Sequence, residues 1–357
     1  MIRVILLSMF VVAGLIAVLL AGGFAYRAYC QNQNAKTLKI EATEGISEEM
    51  FVPIGGIDQW IQIRGENRNN PVLLILHGGP GFSYIPFTLN FRTWEKDFTV
   101  VQWDQRGTGK TFGKNGKIGS GEMTIERMFQ DGIEVSEFLR KHLKKDKIIL
   151  FAHSWGTVLG IPMIAKRPEM FSAYVGTGQI VDMAKNEVES YNLILSRLRE
   201  LGDEKAIKTL NQLGSPPYKD VKTWMIKGRM IVMNTPPSAS GRSLPNVFGS
   251  ALSTPSYSLK DGYDLFSAFN FSSEKLYVEM MAYNAKQYGT KFKVPIFFIQ
   301  GDSDIQSSTA LAQEYFSTIE APKKELILLK GEGHTAVLIL PDVFLKELVT
   351  KVRSLAK

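Results

Sequence analysis

The hydrophobic positions along the chain form alternating runs and continuous runs, and both kinds predict strands. The stretch FVPIGGIDQWIQIRG (51–65) alternates on either side of two glycines, which is typical of a β-hairpin. Runs that are apolar throughout are typical of parallel strands covered by helices on both faces. Such runs occur at 71–76, 98–103 and 148–152, and further candidate strands lie at 171–178, 294–301 and 325–331. Together these patterns predict a mostly parallel sheet.

Segments with helical spacing lie between the apolar runs. Apolar positions in residues 124–143 recur mostly three or four apart, and Thr124 is of a type that caps helix N termini. A second amphipathic pattern, at 341–355, ends the chain. Strands that alternate with helices predict a doubly wound α/β sheet. We therefore expect an α/β core over residues 50–182 and 291–357.

Residues 183–290 break this alternation. They begin with MAKNEVESYNLILSRLRELG, which has a helical pattern, and they contain several prolines and aromatic residues. We expect this region to be a mostly helical cap inserted into the α/β core.

The N-terminal region is long and apolar. Val4 to Tyr26 comprises 23 residues without a charge, and about 20 residues cross the hydrocarbon core of a bilayer. A cleaved signal peptide is the alternative, with Gly23 and Ala25 near a cleavage site, but its apolar part is usually about 7–15 residues long. We therefore expect a transmembrane anchor over residues 1–30, followed by a polar linker over residues 31–49.

The charges that flank this anchor bear on its orientation. Arg3 precedes the apolar segment, whereas Arg27, Lys36 and Lys39 follow it. An N-terminal anchor usually leaves the following domain outside, so we expect an extracytoplasmic catalytic domain. The count of basic residues points weakly in the opposite direction.

Composition excludes several other classes of protein. The 357 residues carry a formal net charge of +7, but no basic stripe is interleaved with aromatic residues, so we expect no nucleic-acid partner. The single cysteine, Cys30, excludes disulfides within the chain. The four histidines show no metal-ligand spacing, so we expect no catalytic metal bound by the protein.

The first candidate catalytic motif is AHSWG (152–156), which lies between a predicted strand and a predicted helix. At a nucleophile elbow, the residues two positions before and after the serine must be small, because the strand and helix backbones nearly touch. Ala152 and Gly156 meet this demand around Ser154. The alternative is a serine that only caps the following helix.

A serine nucleophile needs a general base, which an acid orients. On such a sheet the order is Ser, then Asp or Glu, then His, each at the end of a strand. Ser154, Asp304 and His334 each follow an apolar run in this order. Asp302 remains a rival for the acid. Among the other histidines, His153 would be turned away by the elbow, His142 lies in a basic helix end, and His77 begins a glycine loop.

Acyl transfer also needs hydrogen-bond donors for the oxyanion that develops in the transition state. HGGPG (77–81) directly follows a predicted strand, and its glycines allow backbone amides to approach a substrate. Gly79 and Trp155 are the candidate donors. The alternative for this loop is an ordinary glycine-proline turn.

These motifs together resemble the proline iminopeptidase group of serine hydrolases, within the α/β-hydrolase fold. The matching segments are, in order, HGGPG (77–81), WDQRGTGKT (103–111), AHSWG (152–156), GDSD (301–304) and GEGH (331–334), and the resemblance covers about residues 45–355. It implies Ser154 as nucleophile, Asp304 as acid and His334 as base, with Gly79 and Trp155 forming the oxyanion hole. It also implies supporting positions near the site at His77, Gly78, Asp104 and Arg106. No cofactor is implied.

The resemblance also suggests a substrate. Members of this group release an N-terminal residue, often proline, and hold its free amine with carboxylates of the cap. Glu187 and Glu189 are the candidates here, unless they are ordinary solvated helix residues. The only tryptophan of the cap, Trp224, has no glutamate beside it, unlike the W-E-type segment of the group.

We therefore expect an aminopeptidase that acts on short peptides. The first alternative is a carboxylesterase or lipase-like enzyme with the same triad, since the aromatic residues of YDLFSAFNF (263–271) would suit an apolar acyl chain. The second alternative is a binding protein that kept the fold without the activity, and the complete set of motifs counts against it.

Overall fold

The computed structural model describes residues 2–236, 238, 249 and 251–356, and its centre is an eight-stranded sheet. The strands are β1 (Ile46–Ile54), β2 (Ile57–Gly65), β3 (Val72–Leu76), β4 (Thr99–Asp104), β5 (Ile148–His153), β6 (Phe171–Thr177), β7 (Ile296–Gly301) and β8 (Lys324–Leu329). Their order in the sheet is β1-β2-β4-β3-β5-β6-β7-β8. The β1–β2 hairpin and the β2–β4 pair are antiparallel, and all other pairs are parallel. The predicted mostly parallel α/β sheet is confirmed.

Helices cover both faces of this sheet and extend beyond it. They are α1 (Ile2–Thr37), α2 (Gly109–Gly119), α3 (Ile125–His142), α4 (Trp155–Lys166), α5 (Met183–Leu201), α6 (Glu204–Leu213), α7 (Val221–Asn234), α8 (Leu259–Met281), α9 (Thr309–Thr318), α10 (Ala336–Ile339) and α11 (Pro341–Glu347). Short 3₁₀ segments lie at Ile85–Lys96, Pro168–Met170 and Ala285–Tyr288. The chain ends in a π turn and a 3₁₀ turn, Leu348–Val352 and Arg353–Leu355.

The core lies on both faces of the sheet. On β3, Leu74 and Leu76 pack with α3 and α4, whereas Leu73 and Ile75 pack with the 85–96 segment and α11. All four side chains are buried, which stabilises the fold by about 1.5–3 kcal/mol for each such side chain. Burial on both faces explains why this strand is apolar at every position rather than at alternate ones.

The predicted cap of helix α3 is confirmed. Thr124 has an extended backbone, and its side-chain oxygen accepts a hydrogen bond from the amide of Arg127 at 3.1 Å. A cap of this kind stabilises a helix by about 1 kcal/mol. Local sequence was sufficient here because cap and helix are neighbours in the chain.

The predicted linker is wrong at both ends. Helix α1 continues through residues 31–37, and β1 begins at Ile46. The polar side chains at 31–37 indicated a loop, but Gln31 and Asn34 donate hydrogen bonds to backbone carbonyls of residues 253–257. Their polarity therefore serves a long-range contact, which the local pattern cannot show.

Helix α1 is long and apolar enough to cross a membrane. The candidate span, Ile5–Thr37, has a mean hydropathy of 2.7 in its most apolar window, and none of that window is buried in the protein. A core helix of a soluble domain would instead be mostly buried, so α1 is not part of the core.

Between β6 and β7 the chain forms helices α5 to α8, which we call the cap. Residues 237, 239–248 and 250 of the predicted 183–290 cap lie outside the described residues. The cap has a small apolar cluster of its own, formed by Ile194, Leu198, Leu210 and Ile231. Helix α8 also packs on α2, where the rings of Phe112 and Phe271 lie 5.4 Å apart.

Candidate active site

Ser154 lies at the sharp turn between β5 and α4. Its backbone has φ 51° and ψ −119°, a strained combination for a residue with a side chain. Helix α4 also lies very close to the neighbouring strand β3, since a Cβ on Gly156 would lie only 2.2 Å from the carbonyl oxygen of Leu76. Strand β5 and helix α4 are also close at Ala152, since a Cβ on Gly160 would lie 3.3 Å from the Cβ of Ala152. Alanine at position 152 is thus compatible with the elbow geometry.

The loops after β7 and β8 bring two further side chains to Ser154. The Oγ of Ser154 lies 2.9 Å from Nε2 of His334, and Nδ1 of His334 lies 2.9 Å from Oδ2 of Asp304. Because a carboxylate only accepts hydrogen bonds, Nδ1 carries the proton and Nε2 is free to accept one from the serine hydroxyl. The three side chains therefore form one chain of hydrogen bonds.

The position of Asp304 is set by its own loop. Its Oδ1 accepts hydrogen bonds from the amides of Gln306 and Ser307, each at 2.8 Å. Asp302 instead is exposed and accepts a hydrogen bond from the amide of Gly331 at 2.7 Å. The structure thus brings Asp304, and not Asp302, into contact with His334.

His153 supports the loop that carries His334. Its Nε2 donates to the carbonyl oxygen of His334 at 2.8 Å, and its Nδ1 accepts from the hydroxyl of Tyr84 at 2.5 Å. Burial, followed by the nearby charge of His334, lowers the pKa of His153 to about 3. His153 is therefore a neutral positioning residue. The sequence predicted only that this side chain points away from Ser154. It did not indicate the contact with the carbonyl oxygen of His334.

The glycine loop 77–81 packs directly against the elbow. A Cβ on Gly78 would lie 2.9 Å from the ring of His153 and 3.5 Å from the Cβ of Ser154. Gly79 has φ +135°, a conformation that favours glycine, and lines the cavity described below. Trp155 is the first residue of α4, so its amide belongs to the orphan donors of a helix N terminus. Within the described residues, neither the Gly79 amide nor the Trp155 amide has a protein acceptor.

His77 holds this loop from within the core. Its Nδ1 donates to the carbonyl oxygen of Gly78 at 2.7 Å, and its Nε2 faces the amide of Gln105 at 3.5 Å. Burial lowers the pKa of His77 to about 4. The ring is therefore neutral at ordinary pH, and it supports the loop without contacting Ser154.

Arg106 joins three separate parts of the chain. Its guanidinium forms a buried ion pair with Asp131 at 2.7 Å and donates to the carbonyl oxygens of Gly55 and Ser120 at 2.7 and 2.6 Å. It thereby connects α3, the turn of the β1–β2 hairpin and the end of α2. Its role is structural support behind the site.

Asp104 connects the core to the chain segment before α8. Its Oδ2 accepts hydrogen bonds from the Tyr257 hydroxyl at 2.6 Å and from the Lys110 amide at 2.8 Å. Burial raises the pKa of Asp104 to about 6. The Tyr257 hydroxyl also contacts the Ser83 hydroxyl at 3.1 Å, close to the glycine loop.

A cavity of about 720 Å³ opens at Ser154 and His334, between the core and the cap. Its walls are mainly apolar and come from α7, α8 and the loop around Phe82. The side chains that dominate these walls are Phe82, Trp224, Met225, Ile226, Val232, Phe266, Phe269 and Leu338. Among the described residues, no group of three or more His, Cys, Asp or Glu side chains is placed to hold a metal ion.

A second cavity, of about 40 Å³, lies on the other side of Ser154 and reaches Glu187. The Glu187 carboxylate forms an ion pair with Lys227 at 2.5 Å and accepts a hydrogen bond from the indole of Trp224 at 3.2 Å. Both members of the ion pair are buried, and burial lowers the pKa of Lys227. Glu189 instead forms a short hydrogen bond with the hydroxyl of Ser308.

That Glu187 and Glu189 anchor a substrate amine stays a prediction, since Glu187 reaches the small cavity beside Ser154. The carboxylate of Glu187 already forms an ion pair with Lys227, which follows Glu187 by 40 residues in the chain. The sequence shows no signal for this pair, because the two residues lie on different helices of the cap.

Comparisons with known proteins identify the family of this chain and its relatives. The family described as "alpha/beta hydrolase fold" matches residues 71–210. "Probable aminopeptidase YbaC" of Bacillus subtilis is 30% identical over 306 residues, which cover 84% of this chain and 94% of that protein. A proline iminopeptidase of Lactobacillus delbrueckii subsp. lactis is 27% identical over 176 residues, which cover 48% of this chain and 58% of that protein.

Solved structures show the same fold at low sequence identity. The proline iminopeptidase of Mycobacterium smegmatis has a TM-score of 0.62 at 16% identity, with 87% of this chain and 99% of that chain covered. A membrane phospholipase A has a TM-score of 0.62 at 13% identity, with 98% of this chain and 99% of that chain covered. These two likenesses concern the fold alone.

Proposed function

Because the chain belongs to the α/β-hydrolase family and is proline iminopeptidase-like, we propose that it is a serine aminopeptidase that releases the N-terminal residue of short peptides. The observation that carries this proposal is the chain of hydrogen bonds from Ser154 through His334 to Asp304, at a cavity large enough for a small peptide. The name of the Bacillus subtilis relative supports the amide substrate.

In the proposed mechanism, His334 is the general base and Ser154 the nucleophile. Nε2 of His334 accepts the hydroxyl proton while Oγ of Ser154 forms a bond to the carbonyl carbon of the substrate. Asp304 stabilises the resulting imidazolium through the hydrogen bond at Nδ1. His334 then gives the proton to the leaving amine, and an acyl-enzyme remains. Water releases the acyl group by the same proton transfers.

The amides of Gly79 and Trp155 are the proposed donors to the tetrahedral oxyanion. Both lie beside Ser154, and the Trp155 amide has the added field of a helix N terminus. One such donor stabilises the transition state by about 2.7–4 kcal/mol in a well-studied protease. No cofactor enters this mechanism.

Ester hydrolysis is the second candidate function, and the state of Glu187 favours it. A free substrate amine would need a carboxylate, but Glu187 is paired with Lys227. The walls of the large cavity are mainly apolar and include Phe266 and Phe269, which suits an acyl chain. Both candidates use the same nucleophile, so only the substrate preference separates them.

The test compares the full-length protein with its Ser154→Ala variant in detergent. Substrates are prolyl and alanyl p-nitroanilides with free or acetylated amines, and p-nitrophenyl esters of short and long acids. Cleavage of the free-amine anilides that disappears in the variant would support the aminopeptidase. Ester turnover that disappears in the variant, without anilide cleavage, would favour the second candidate. Turnover that persists in Ser154→Ala would overturn Ser154 as nucleophile.

We also propose that α1 remains attached and anchors the protein, with the catalytic part outside the cytoplasm. Arg27, Gln31 and Asn34 hold the folded part by their side chains, so removal of α1 would remove contacts of the fold. N-terminal sequencing of the membrane-bound protein should find Met1 or the residue after it. Protease added to intact cells or spheroplasts should reach the catalytic part.

A further inference from the structure

The polar end of helix α1 is bound to the chain segment that precedes α8. Arg27 donates to the carbonyl oxygens of Leu252 and Tyr257 at 2.9 and 2.8 Å. One and two turns later, Gln31 and Asn34 donate to the carbonyls of Thr254 and Ser253, each at 2.9 Å. Three side chains therefore hold residues 252–257 against the helix.

These contacts fix the height of the segment relative to a membrane. Arg27 directly follows the uncharged stretch that ends at Tyr26, and charged residues at this position lie at the membrane surface. Residues 252–257 bind Arg27 and its neighbours, so they lie at that surface as well. The hydroxyl of Tyr257 is in turn hydrogen-bonded to Asp104 in the core. The segment that binds α1 is therefore also attached to the part of the molecule that carries the active site.

Helix α8 starts at this level and exposes an apolar stripe. Leu259, Tyr263 and Phe266 are 53%, 71% and 69% exposed, and their spacing of four and three residues places them on one face of the helix. The opposite face is buried. Soluble surfaces rarely expose such a continuous apolar face, and tyrosine is enriched at membrane interfaces.

The same stripe reaches the active-site cavity. Phe266 lines the cavity together with Ile226, Arg229 and Val232 of α7, and all four side chains are exposed. The mouth of the cavity thus combines apolar side chains with one cation, a combination that suits acyl chains and the phosphates of lipid headgroups.

We propose that the α8 stripe, Leu259, Tyr263 and Phe266, rests in the interfacial layer of the bilayer that α1 spans, so that the cavity opens at the membrane surface. The occupant of this face is a phospholipid bilayer. The proposal rests on α1 being a membrane span, and it is independent of which bond the enzyme cleaves.

The test uses the full-length protein with Cys30 replaced by alanine, which leaves no cysteine in the chain. Single cysteines at Tyr263→Cys and Phe266→Cys carry an environment-sensitive fluorophore, and the protein is reconstituted in phosphatidylcholine vesicles that contain a lipid spin-labelled near the headgroup. Val11→Cys, within the apolar part of α1, is the control for membrane insertion, and it is measured with a second lipid that is spin-labelled on its acyl chain. Leu328→Cys is the matched exposed apolar control, because it lies on β8, the strand at the opposite edge of the sheet from the β1–β2 hairpin.

We expect the spin label to quench the probes at 263 and 266 at least threefold more than the probe at 328. Equal quenching at 263, 266 and 328, with strong quenching at 11, would overturn the proposal while leaving the anchor intact. A blue-shifted but unquenched probe at 263 would indicate a protein contact, such as a second copy, and would also overturn it. Absence of quenching at 11 would remove the anchor and the proposal together. Thermal unfolding checks that each labelled variant is folded.

Discussion

The ammonium group of Lys227 lies 2.5 Å from the carboxylate of Glu187, and both side chains face the small cavity beside Ser154. The ammonium group balances the charge of this buried carboxylate. The pair therefore controls whether the site carries a free negative charge. Either charge would be costly to bury without the other.

Lys227→Met should raise the preference for a free substrate amine. The variant leaves Glu187 without a partner, so a cationic amine gains a buried carboxylate to bind. We expect the ratio of kcat/KM for free and acetylated alanyl p-nitroanilide to rise at least tenfold. The double variant Glu187→Gln/Lys227→Met is the matched control and should not show this rise. An unchanged ratio in a folded Lys227→Met variant would contradict a role of the pair in amine selection.

The same variants should differ in their free energy of unfolding. Removal of one partner of a buried ion pair costs about 3–5 kcal/mol in the free energy of unfolding, whereas replacement of both by uncharged groups costs much less. Lys227→Met alone should therefore be the least stable of the series in urea. A double variant as unstable as Lys227→Met would show that packing, and not charge, holds the two helices together.

Asp304→Asn should lower kcat by about 10⁴-fold, because an amide no longer fixes the tautomer of the adjacent histidine. Asp302→Asn is a matched control in the same loop, and it should have little effect because Asp302 contacts Gly331 and not His334. The measurement is kcat on the best substrate found with the wild type. Equal losses in both variants would argue against Asp304 as the orienting acid.

Gly156→Ala should abolish turnover that depends on Ser154. The added Cβ would lie 2.2 Å from the carbonyl oxygen of Leu76, so strand β3 and helix α4 would have to separate. Gly262→Ala is the control, since no atom lies within 4 Å of its added Cβ. Alanine in that exposed helix should stabilise the protein by up to about 1 kcal/mol. Full activity in Gly156→Ala would disprove the close contact at the elbow.

Stability should fall as the pH is lowered from about 6.5 to about 4. The folded-state pKa values of His77 and His153, about 4 and 3, lie below the unfolded value of 6.5, so the unfolded chain binds more protons in this range. Asp104 acts in the opposite direction between 3.8 and about 6, because its pKa is raised in the folded state. Burial also raises the pKa of Glu95, which acts in the same direction as Asp104. The two histidines outweigh these carboxyl groups, which leaves a net loss below about 1.4 kcal/mol per pH unit.

Urea unfolding at pH 7.0, 6.0 and 5.0 measures this slope. His77→Asn removes one of the two histidines and should reduce it. A free energy of unfolding that stays constant or rises on acidification over this range would contradict the assignment of neutral, buried histidines.

The local sequence predicted those features whose causes are close in the chain. The apolar runs that became β3 to β7 are buried at every position, whereas the edge strand β8 is only partly buried. Thr124 caps α3 because its partner is three residues away. The chain also places a small residue on each side of Ser154, which the turn between β5 and α4 requires. The order of Ser154, Asp304 and His334 already indicated a serine hydrolase, and the family resemblance added the expectation of an aminopeptidase substrate.

Only the tertiary structure decided which distant groups meet. It brings Asp304 rather than Asp302 to His334, pairs Glu187 with Lys227, and uses the polar residues at 31–37 to bind residues 252–257 instead of forming a linker. Each of these outcomes depends on the packing of elements that are far apart in the chain. Periodicity and composition report the environment of a residue, but they do not identify its partner, because a charge or a hydrogen bond can be satisfied by any group that the fold brings within reach.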